Sequence, residues 1–372
     1  MKNKFIQQIE FFFVYLFFNL AKIIDEKVLR KFFRNAFKFL FSILKSQKKI
    51  IYKNLEIINP GYSKNEKKKI FKRFCEVYAE IFSDQLLFQK LDKEKLLKKI
   101  VVKGYEYVQE SLSKGKGAII VLGHLGNWEI FGSHACLNEF NLNVIYRPLD
   151  NKIIDKYLTF FRTKFGPKLI SKFSSPLNMI RPLLNKEVLC VVADQNTIKN
   201  YIFVPFLGKI ASASRGFSFF HLKTNSPVLF AYSCIDENYN QFGFIEKEYD
   251  FEKLYNELSI EEKHFLFLFN KTFNLSLNEE EYKNNLMNFS KFYSIEDNFN
   301  LKEEYKNFDY LKDFKNKIKK YEDLNFDEKS FYITYFFHKS LEKIIKKYPE
   351  NWLLLHPRFR KQPAGFKSVY KS

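Results

Sequence analysis

The first hundred residues carry three apolar patterns that predict helices. Phe5 to Ile24 has 15 apolar residues in 20 and, at about 1.5 Å per residue, is long enough to cross a bilayer as a helix. Val28 to Leu44 interleaves bulky apolar residues with Arg and Lys at helical spacing. That pattern is typical of a helix in a lipid interface, and also of a core helix with a solvated basic face. Ser63 to Ile100 repeats apolar residues at every third or fourth position, and Glu66 predicts a capping box with Ser63.

After Gly117, short runs of β-branched and apolar residues alternate with helical stretches. Five of these runs predict strands: Ala118–Leu122, Asn143–Tyr146, Val188–Ala193, Val228–Ser233 and Phe242–Glu246. Lys152–Phe165 and Ser175–Leu184 have helical spacing and lie between some of the runs. This alternation predicts an α/β fold with a largely parallel sheet, in which functional residues gather where the strands end.

Residues 250–329 do not follow the alternation. They are charged and net acidic, and they contain neither Gly nor Pro. We interpret them as a helical insertion or as a partly disordered one, with His264 at the surface and not a ligand. The chain then divides into membrane-anchoring or interfacial helices (1–45), an α/β domain (46–249), the insertion (250–329) and the C-terminal part of the α/β domain (330–372).

Composition excludes several classes of protein. Apolar residues make up 46% of the 372, and Gly and Pro together number only 22, so the chain is neither disordered nor fibrous. Its four cysteines (Cys75, Cys136, Cys190 and Cys234) are far apart and form no CxxC pair. This excludes a disulfide framework and a zinc ribbon, and it fits a reducing compartment.

The formal net charge of +20 is concentrated at the N-terminal end. Residues 1–100 contain 23 Lys and Arg against 10 Asp and Glu, whereas residues 251–330 contain 13 against 17. Such a basic end predicts a polyanionic partner. No RNP, KH or helix-turn-helix signature is present, so we expect an anionic membrane surface and no nucleic acid. Because more Lys and Arg follow Phe5–Ile24 than precede it, a spanning segment would place the rest of the chain in the cytoplasm.

The segment from Ala118 to Glu129, AIIVLGHLGNWE, carries the clearest candidate chemistry. A buried strand delivers His124 to its end, and a helix is expected to begin near Asn127. Glu129 in the first helical turn can then reach back to the imidazole, fix its tautomer and leave the other ring nitrogen as a general base. A turn histidine bonded to a backbone carbonyl would show the same sequence.

Further polar residues follow other predicted strands. Arg147 comes after Asn143–Tyr146, Arg162 lies on the next helix, and Asp194 and Gln195 end the run that begins at Val188. Two guanidinium groups at a strand-end edge suit a phosphorylated substrate, because arginine binds phosphate in a bidentate manner. Ordinary surface ion pairs are the alternative for each arginine.

Five motifs together resemble a known family. They are GHLGNWE (123–129), YRPLDN (146–151), ADQN (193–196), FVPFLGKIASASRG (203–216) and PENWLLLHPRFR (349–360). In this order they resemble the bacterial lipid A biosynthesis acyltransferases, the late acyltransferases of the lysophospholipid acyltransferase superfamily. The resemblance covers roughly residues 1–248 and 330–366.

The resemblance implies an α/β sandwich of two or three layers, of the glycerolipid acyltransferase type, behind an N-terminal membrane helix. It implies transfer of a fatty acyl group from an acyl carrier protein thioester to a hydroxyl of a lipid A precursor, at the cytoplasmic face of the bacterial inner membrane. His124 would be the catalytic base and Glu129 its orienting partner. The same resemblance assigns substrate binding to Arg147, Arg162, Asp194 and Gln195. It implies no metal, no cofactor and no acyl-enzyme, so the cysteines would be structural.

The sequence departs from the family at the C-terminal motif, where the usual His-Arg-Arg is His356-Pro357-Arg358. The insertion at 250–329 has no family counterpart. Two alternatives stay open at this point: an acyltransferase for a phospholipid or another glycolipid, and a non-catalytic, membrane-attached lipid-binding protein.

Overall fold

The computed structural model of the chain describes residues 4–275, 277–294, 299–302 and 311–370, and its architecture is mixed α/β. The helices are α1 (Lys4–Ile23), α2 (Glu26–Ile43), α3 (Lys45–Ile58), α4 (Lys64–Leu87), α5 (Lys93–Lys99), α6 (Tyr105–Ser113), α7 (Trp128–Leu137), α8 (Lys152–Arg162), α9 (Pro176–Leu184), α10 (Gly216–Thr224), α11 (Phe251–Glu257), α12 (Ile260–Phe273), α13 (Glu279–Phe292), α14 (Lys312–Lys315) and α15 (Phe326–Lys347). The strands are β1 (Ile100–Lys103), β2 (Ala118–Leu122), β3 (Leu142–Tyr146), β4 (Lys168–Ser171), β5 (Val188–Val192), β6 (Tyr201–Phe206), β7 (Lys209–Ser214), β8 (Val228–Ile235) and β9 (Gln241–Glu248). Phe88–Lys90 and Pro349–Asn351 form short 3₁₀ turns.

A seven-stranded sheet forms the centre of the fold, in the order β1-β9-β8-β2-β5-β3-β4. All neighbouring strands are parallel except β8 and β9, which are antiparallel. The carboxyl ends of β2, β5, β3 and β4 therefore lie side by side along one edge. This edge is where a parallel sheet places its functional residues.

Strand β2 shows why helices cover both faces of the sheet. Its five residues are all buried. Ile119 and Val121 pack into one hydrophobic core, with α10 and α15, whereas Ala118, Ile120 and Leu122 pack into another, with α5, α6 and α7. Successive side chains of a strand point to opposite faces, so a continuous apolar run requires a layer on each side.

The structure confirms the largely parallel α/β sheet and all five predicted strands, whose ends agree with the prediction to within two residues. It also contains strands that the pattern did not predict: β1, β4 and the hairpin β6–β7. The helix predicted to run from Ser63 to Ile100 ends at Leu87, although its capping box with Glu66 is present. β1 and β4 have four residues each, and runs so short carry little periodicity of their own.

The two N-terminal helices dock on the α/β body. Arg30 of α2 is buried and bonds Glu80 at 2.7 Å and Asp84 at 2.5 Å, both on α4. α1 contacts α4 and α8, yet in α1 only Phe18 and Ala21 are buried. Among the described helices, α1 is the one long and apolar enough to cross a membrane by length and composition.

The described part of 250–329 is largely helical, as α11, α12, α13 and α14. Residues 276, 295–298 and 303–310 of this predicted insertion lie outside the described residues. The expectation that His264 lies at the surface is wrong: it is 6% exposed, and its Nδ1 lies 3.0 Å from the Tyr293 hydroxyl. Burial lowers the pKa of His264 to about 4. The aromatic packing of α12 against α13 places this side chain, and the local pattern did not indicate it.

Candidate active site

His124 lies in a tight loop between β2 and α7. Two residues after it, Gly126 has a φ of +51°, and a Cβ there would lie 2.6 Å from the Ser233 carbonyl oxygen. Only glycine fits this left-handed, crowded position without displacing β8. Asn127 then caps α7 by accepting a hydrogen bond from the Ile130 amide at 3.3 Å. The helix predicted to begin near Asn127 does so.

Asp194 lies beside His124 because the two strands that carry them are parallel neighbours in register. Leu122 pairs with Val192, and the two functional residues come two positions later on each strand. His124 Nδ1 lies 2.5 Å from Asp194 Oδ1, and Asp194 is only 2% exposed. Burial alone would raise the pKa of Asp194, but the neighbouring His124 and the hydrogen bonds from His124 and Trp352 hold it well below its usual value.

The contacts of the imidazole assign its proton to one nitrogen. An ionised carboxylate accepts hydrogen bonds only, so Nδ1 of His124 carries the proton that Asp194 accepts. On the other side of the ring, the amide of Gln195 donates to Nε2 at 3.2 Å. Nε2 therefore presents a lone pair, which is what a general base requires.

The C-terminal segment completes this arrangement, and sequence reasoning did not include it among the site residues. Trp352 is 1% exposed, and its Nε1 donates to Asp194 Oδ2 at 2.9 Å. The Leu353 amide donates to the His124 carbonyl at 3.1 Å, and the Gly126 amide donates to the Asn351 carbonyl at 3.0 Å. In the sequence, the motif at 349–360 indicates this segment, but its pattern gives no role to the tryptophan.

The predicted contact between Glu129 and the His124 imidazole is not present in the structure. Its Oε1 accepts two hydrogen bonds from Arg162, at 3.0 Å from Nε and 2.7 Å from Nη2. The first turn of α7 directs this carboxylate toward the end of α8, while the β2–β5 register places Asp194 on His124. Burial alone would lower the pKa of Arg162, but Glu129 more than offsets this and raises it. Arg162 is thus paired with a carboxylate in this structure, whereas the prediction gave it a phosphorylated substrate as its partner.

A cavity of about 560 Å³ connects these residues. His124, Glu129, Arg162, Arg147 and Gln195 all line it. Its other walls are mostly apolar and include Phe18, Phe88, Ile120, Leu142, Val144 and Ile245. A cavity of this size, with apolar walls and a few polar groups at one edge, suits an elongated apolar ligand with a polar end.

Asn127 also links the His124 loop to a buried ionic cluster. Its amide donates to Asp84 Oδ2 at 3.0 Å. Asp84 also accepts from Gln241 and bonds Arg30 and Lys99. Burial alone would raise the pKa of Asp84, but Lys99 and Arg30 lower it overall. The cluster therefore connects helix α2 to the N-terminus of α7 through charged hydrogen bonds.

The C-terminal departure from the family pattern also has a defined geometry. Arg358 is fully buried and donates to the Ser212 carbonyl at 2.5 Å and toward His338 Nε2 at 3.0 Å. Burial and then the charge of Arg358 lower the pKa of His338 to about 3. The motif thus places its cation in the core, away from the cavity surface.

The described residues also include four cysteines and other side chains of the types that bind metal ions. In the described part of the chain, no three His, Cys, Asp or Glu side chains come together as ligands for a metal ion. All four cysteines are free. Cys190 lines the cavity, and burial raises the pKa of its thiol to about 12, so it is a thiol and not a thiolate at neutral pH.

Two comparisons with known proteins agree with these observations. The family described as "Bacterial lipid A biosynthesis acyltransferase" matches residues 2–252. The lipid A biosynthesis lauroyltransferase of Escherichia coli (strain K12) is 25% identical over 170 residues, which are 45% of this chain and 55% of that protein. The chain thus spans about half the length of the curated relative that it matches.

Proposed function

We propose, since this chain belongs to the bacterial lipid A biosynthesis acyltransferase family, that it transfers a fatty acyl group to a hydroxyl of a lipid A precursor. The acyl donor in this proposal is an acyl carrier protein thioester. The proposal depends most on the His124–Asp194 pair, whose imidazole presents the unprotonated Nε2 at an apolar cavity.

In the proposed mechanism, His124 Nε2 takes the proton from the acceptor hydroxyl as its oxygen attacks the thioester carbonyl. The Asp194 carboxylate stabilises the imidazolium that forms. The tetrahedral intermediate then collapses, the carbon–sulfur bond breaks, and the imidazolium returns the proton to the departing thiolate. The products are an ester and a free thiol. The catalytic step uses only protein side chains.

Gln195 has a defined role in these reaction steps. Before the acceptor binds, its amide nitrogen lies within hydrogen-bond distance of His124 Nε2, at 3.2 Å. The acceptor hydroxyl takes over that position, and the displaced amide remains close enough to bind the substrate. Gln195 is therefore a substrate-binding residue in this proposal.

Glu129 and Arg162 have a different role from that of a base and its partner. Their two hydrogen bonds join the first turn of α7 to the last turn of α8 at the cavity wall. We assign them the positioning of this wall beside the reacting atoms. The neighbouring Trp128 packs edge-on against His124, at 4.8 Å between ring centroids.

The proposed location is the bacterial inner membrane, with the α/β body in the cytoplasm. Most of α1 exposes large apolar side chains, while its buried Phe18 lines the cavity. Acyl chains can therefore reach the cavity from the lipid side of this helix. Apolar residues of α1 and α2 exposed by at least half include Phe5, Phe12, Phe13, Ile23, Val28, Phe32, Phe39 and Ile43.

Mass spectrometry of lipid products tests the function. Membranes containing the protein are incubated with acyl carrier protein loaded with mixed chain lengths, and with a phosphorylated disaccharide lipid A precursor in competition with a lysophospholipid. We expect a mass gain of one acyl group on the disaccharide lipid, absent with His124→Ala. Gain on the lysophospholipid alone would replace the acceptor and keep the chemistry. No gain on either, from a folded protein, would favour a lipid-binding role without catalysis.

A further inference from the structure

We propose that Arg147 and Lys172 together form a phosphate-binding site at the mouth of the cavity. Lys172 was not among the residues that the sequence indicated. The identity of the molecule that carries the phosphate rests on the proposed function, whereas the site itself follows from the arrangement of the two side chains.

The two cations are neighbours across parallel strands. In the β3–β4 register, Tyr146 pairs with Ser171, and the Lys172 amide donates to the Tyr146 carbonyl at 2.8 Å. Arg147 and Lys172 are the next residues on each side. Neighbouring strands lie about 4.8 Å apart, so the two backbones are adjacent. Both side chains line the same cavity.

Their charges are poorly compensated by the protein. Arg147 Nη2 lies 3.4 Å from Asp150, but the two side chains are 64% and 79% exposed, so this pair is weak. Within the described residues, no carboxylate lies within ion-pair distance of Lys172. Burial and then the charge of Arg147 lower the pKa of Lys172. Like charges opposite each other on neighbouring strands are unfavourable unless an anion lies between them.

The position of the pair relative to His124 follows from the strand order. His124, Gln195, Arg147 and Lys172 follow β2, β5, β3 and β4, which are consecutive strands of the sheet. At about 4.8 Å per strand, the phosphate lies roughly 10–14 Å from the base along the sheet edge. Arg162, by contrast, lies in the same cavity but is neutralised by Glu129.

The chemistry of the pair selects a phosphate. A guanidinium binds two phosphate oxygens at once, and an ammonium adds a mobile point charge. Two sources within the proposed reaction carry such a group: a phosphorylated sugar of the acceptor, and the phosphodiester of the prosthetic arm on the carrier protein. Kinetics with each substrate varied in turn distinguishes them.

The first arm of the test measures binding without turnover. The full chain in detergent micelles is titrated with inorganic phosphate, followed by ³¹P line broadening. We expect Lys172→Gln and Arg147→Gln to weaken binding about tenfold each, and Lys172→Arg to retain most of it. Lys69→Gln is the matched control, since it removes an exposed lysine of α4 that does not line the cavity. Equal binding by Lys172→Gln and Lys69→Gln would overturn the site.

The second arm identifies the carrier of the phosphate. We expect Lys172→Gln to raise KM about tenfold for one substrate and to leave kcat within about twofold. A raised KM for the phosphorylated acceptor, but not for its dephosphorylated form, assigns the acceptor. A raised KM for the carrier protein assigns the donor. Loss of the same size with and without phosphate would contradict the proposal. If no acyl transfer occurs but phosphate binding depends on Lys172, the site stands and the proposed function fails.

Discussion

The indole of Trp352 holds the carboxylate of Asp194 from the side opposite His124. Trp352 Nε1 donates to Oδ2 at 2.9 Å, while His124 Nδ1 bonds Oδ1 at 2.5 Å. Both carboxylate oxygens thus have a fixed partner, and the carboxylate plane cannot rotate away from the imidazole. A residue 158 positions away in sequence therefore positions the proposed base.

Replacing Trp352 with Phe tests this positioning role. The variant keeps most of the buried volume but leaves Oδ2 without its donor. Because a hydrogen bond to a charged group contributes about 1.5–3 kcal/mol, we expect kcat to fall at least tenfold with KM within about twofold. Steady-state kinetics and the thermal midpoint are measured together. An unchanged kcat in a stable variant would show that the indole does not act through Asp194.

Asp194 and Glu129 make different predictions as partners of His124. Asp194→Asn removes the charge that stabilises the imidazolium, so we expect kcat to fall on the order of 10³-fold. Glu129→Gln leaves the imidazole contacts intact and should cost much less. Single-turnover rates measure the acyl-transfer step directly. A larger loss for Glu129→Gln than for Asp194→Asn would restore Glu129 as the orienting carboxylate.

Glu129 and Arg162 should also be coupled to each other. Because each is the other's partner at the cavity wall, Glu129→Gln and Arg162→Gln are expected to be strongly non-additive in kcat/KM. The exposed pair Lys98–Glu94, 76% and 78% exposed, is the control and should be additive. Additive losses at Glu129 and Arg162 would mean that they act separately.

Histidines whose pKa the fold lowers predict acid-sensitive stability. The pKa of His356 is lowered to about 4 and that of His338 to about 3, in both cases mainly by burial, as for His264 at about 4. Below the ordinary value of 6.5, the unfolded chain takes up protons that the folded chain does not. Stability therefore falls as pH decreases from about 6.5 to 4, by up to about 1.4 kcal/mol per pH unit for each histidine.

Urea unfolding at several pH values checks this, with His264→Gln as the informative variant. The variant should reduce the slope of the unfolding free energy against pH by up to about 1.4 kcal/mol per pH unit, which is the contribution of one histidine. This change in slope is independent of the effect of the substitution on absolute stability. A slope unaffected by the substitution would mean that His264 takes up its proton equally in both states.

The buried Arg30–Asp84 pair predicts a large effect on the stability of the fold. Arg30→Met leaves Asp84 buried with one cation fewer, and we expect a loss of about 3–5 kcal/mol. The double variant Arg30→Met with Asp84→Leu should recover part of this stability, although it also removes the acceptor for Asn127. Chemical denaturation measures both. A single variant as stable as the native chain would remove the structural role of the pair.

The patterns of the sequence determined the elements whose periodicity is strong. Five strands, the capping box at Ser63 and the apolar helix α1 follow from residues close together in the chain. His124 at the end of a buried strand follows in the same way. Local spacing indicates which face of an element is buried, and this needs no knowledge of the rest of the fold.

Only the tertiary structure decided which side chains meet. Glu129 is five residues from His124 and bonds Arg162 instead, whereas Asp194 reaches the base through the register of β2 and β5. The indole of Trp352 reaches the same carboxylate from a separate segment. Register and strand order result from packing the whole chain around its hydrophobic cores, so pairs 70 or more residues apart are set by the assembled fold and not by local periodicity.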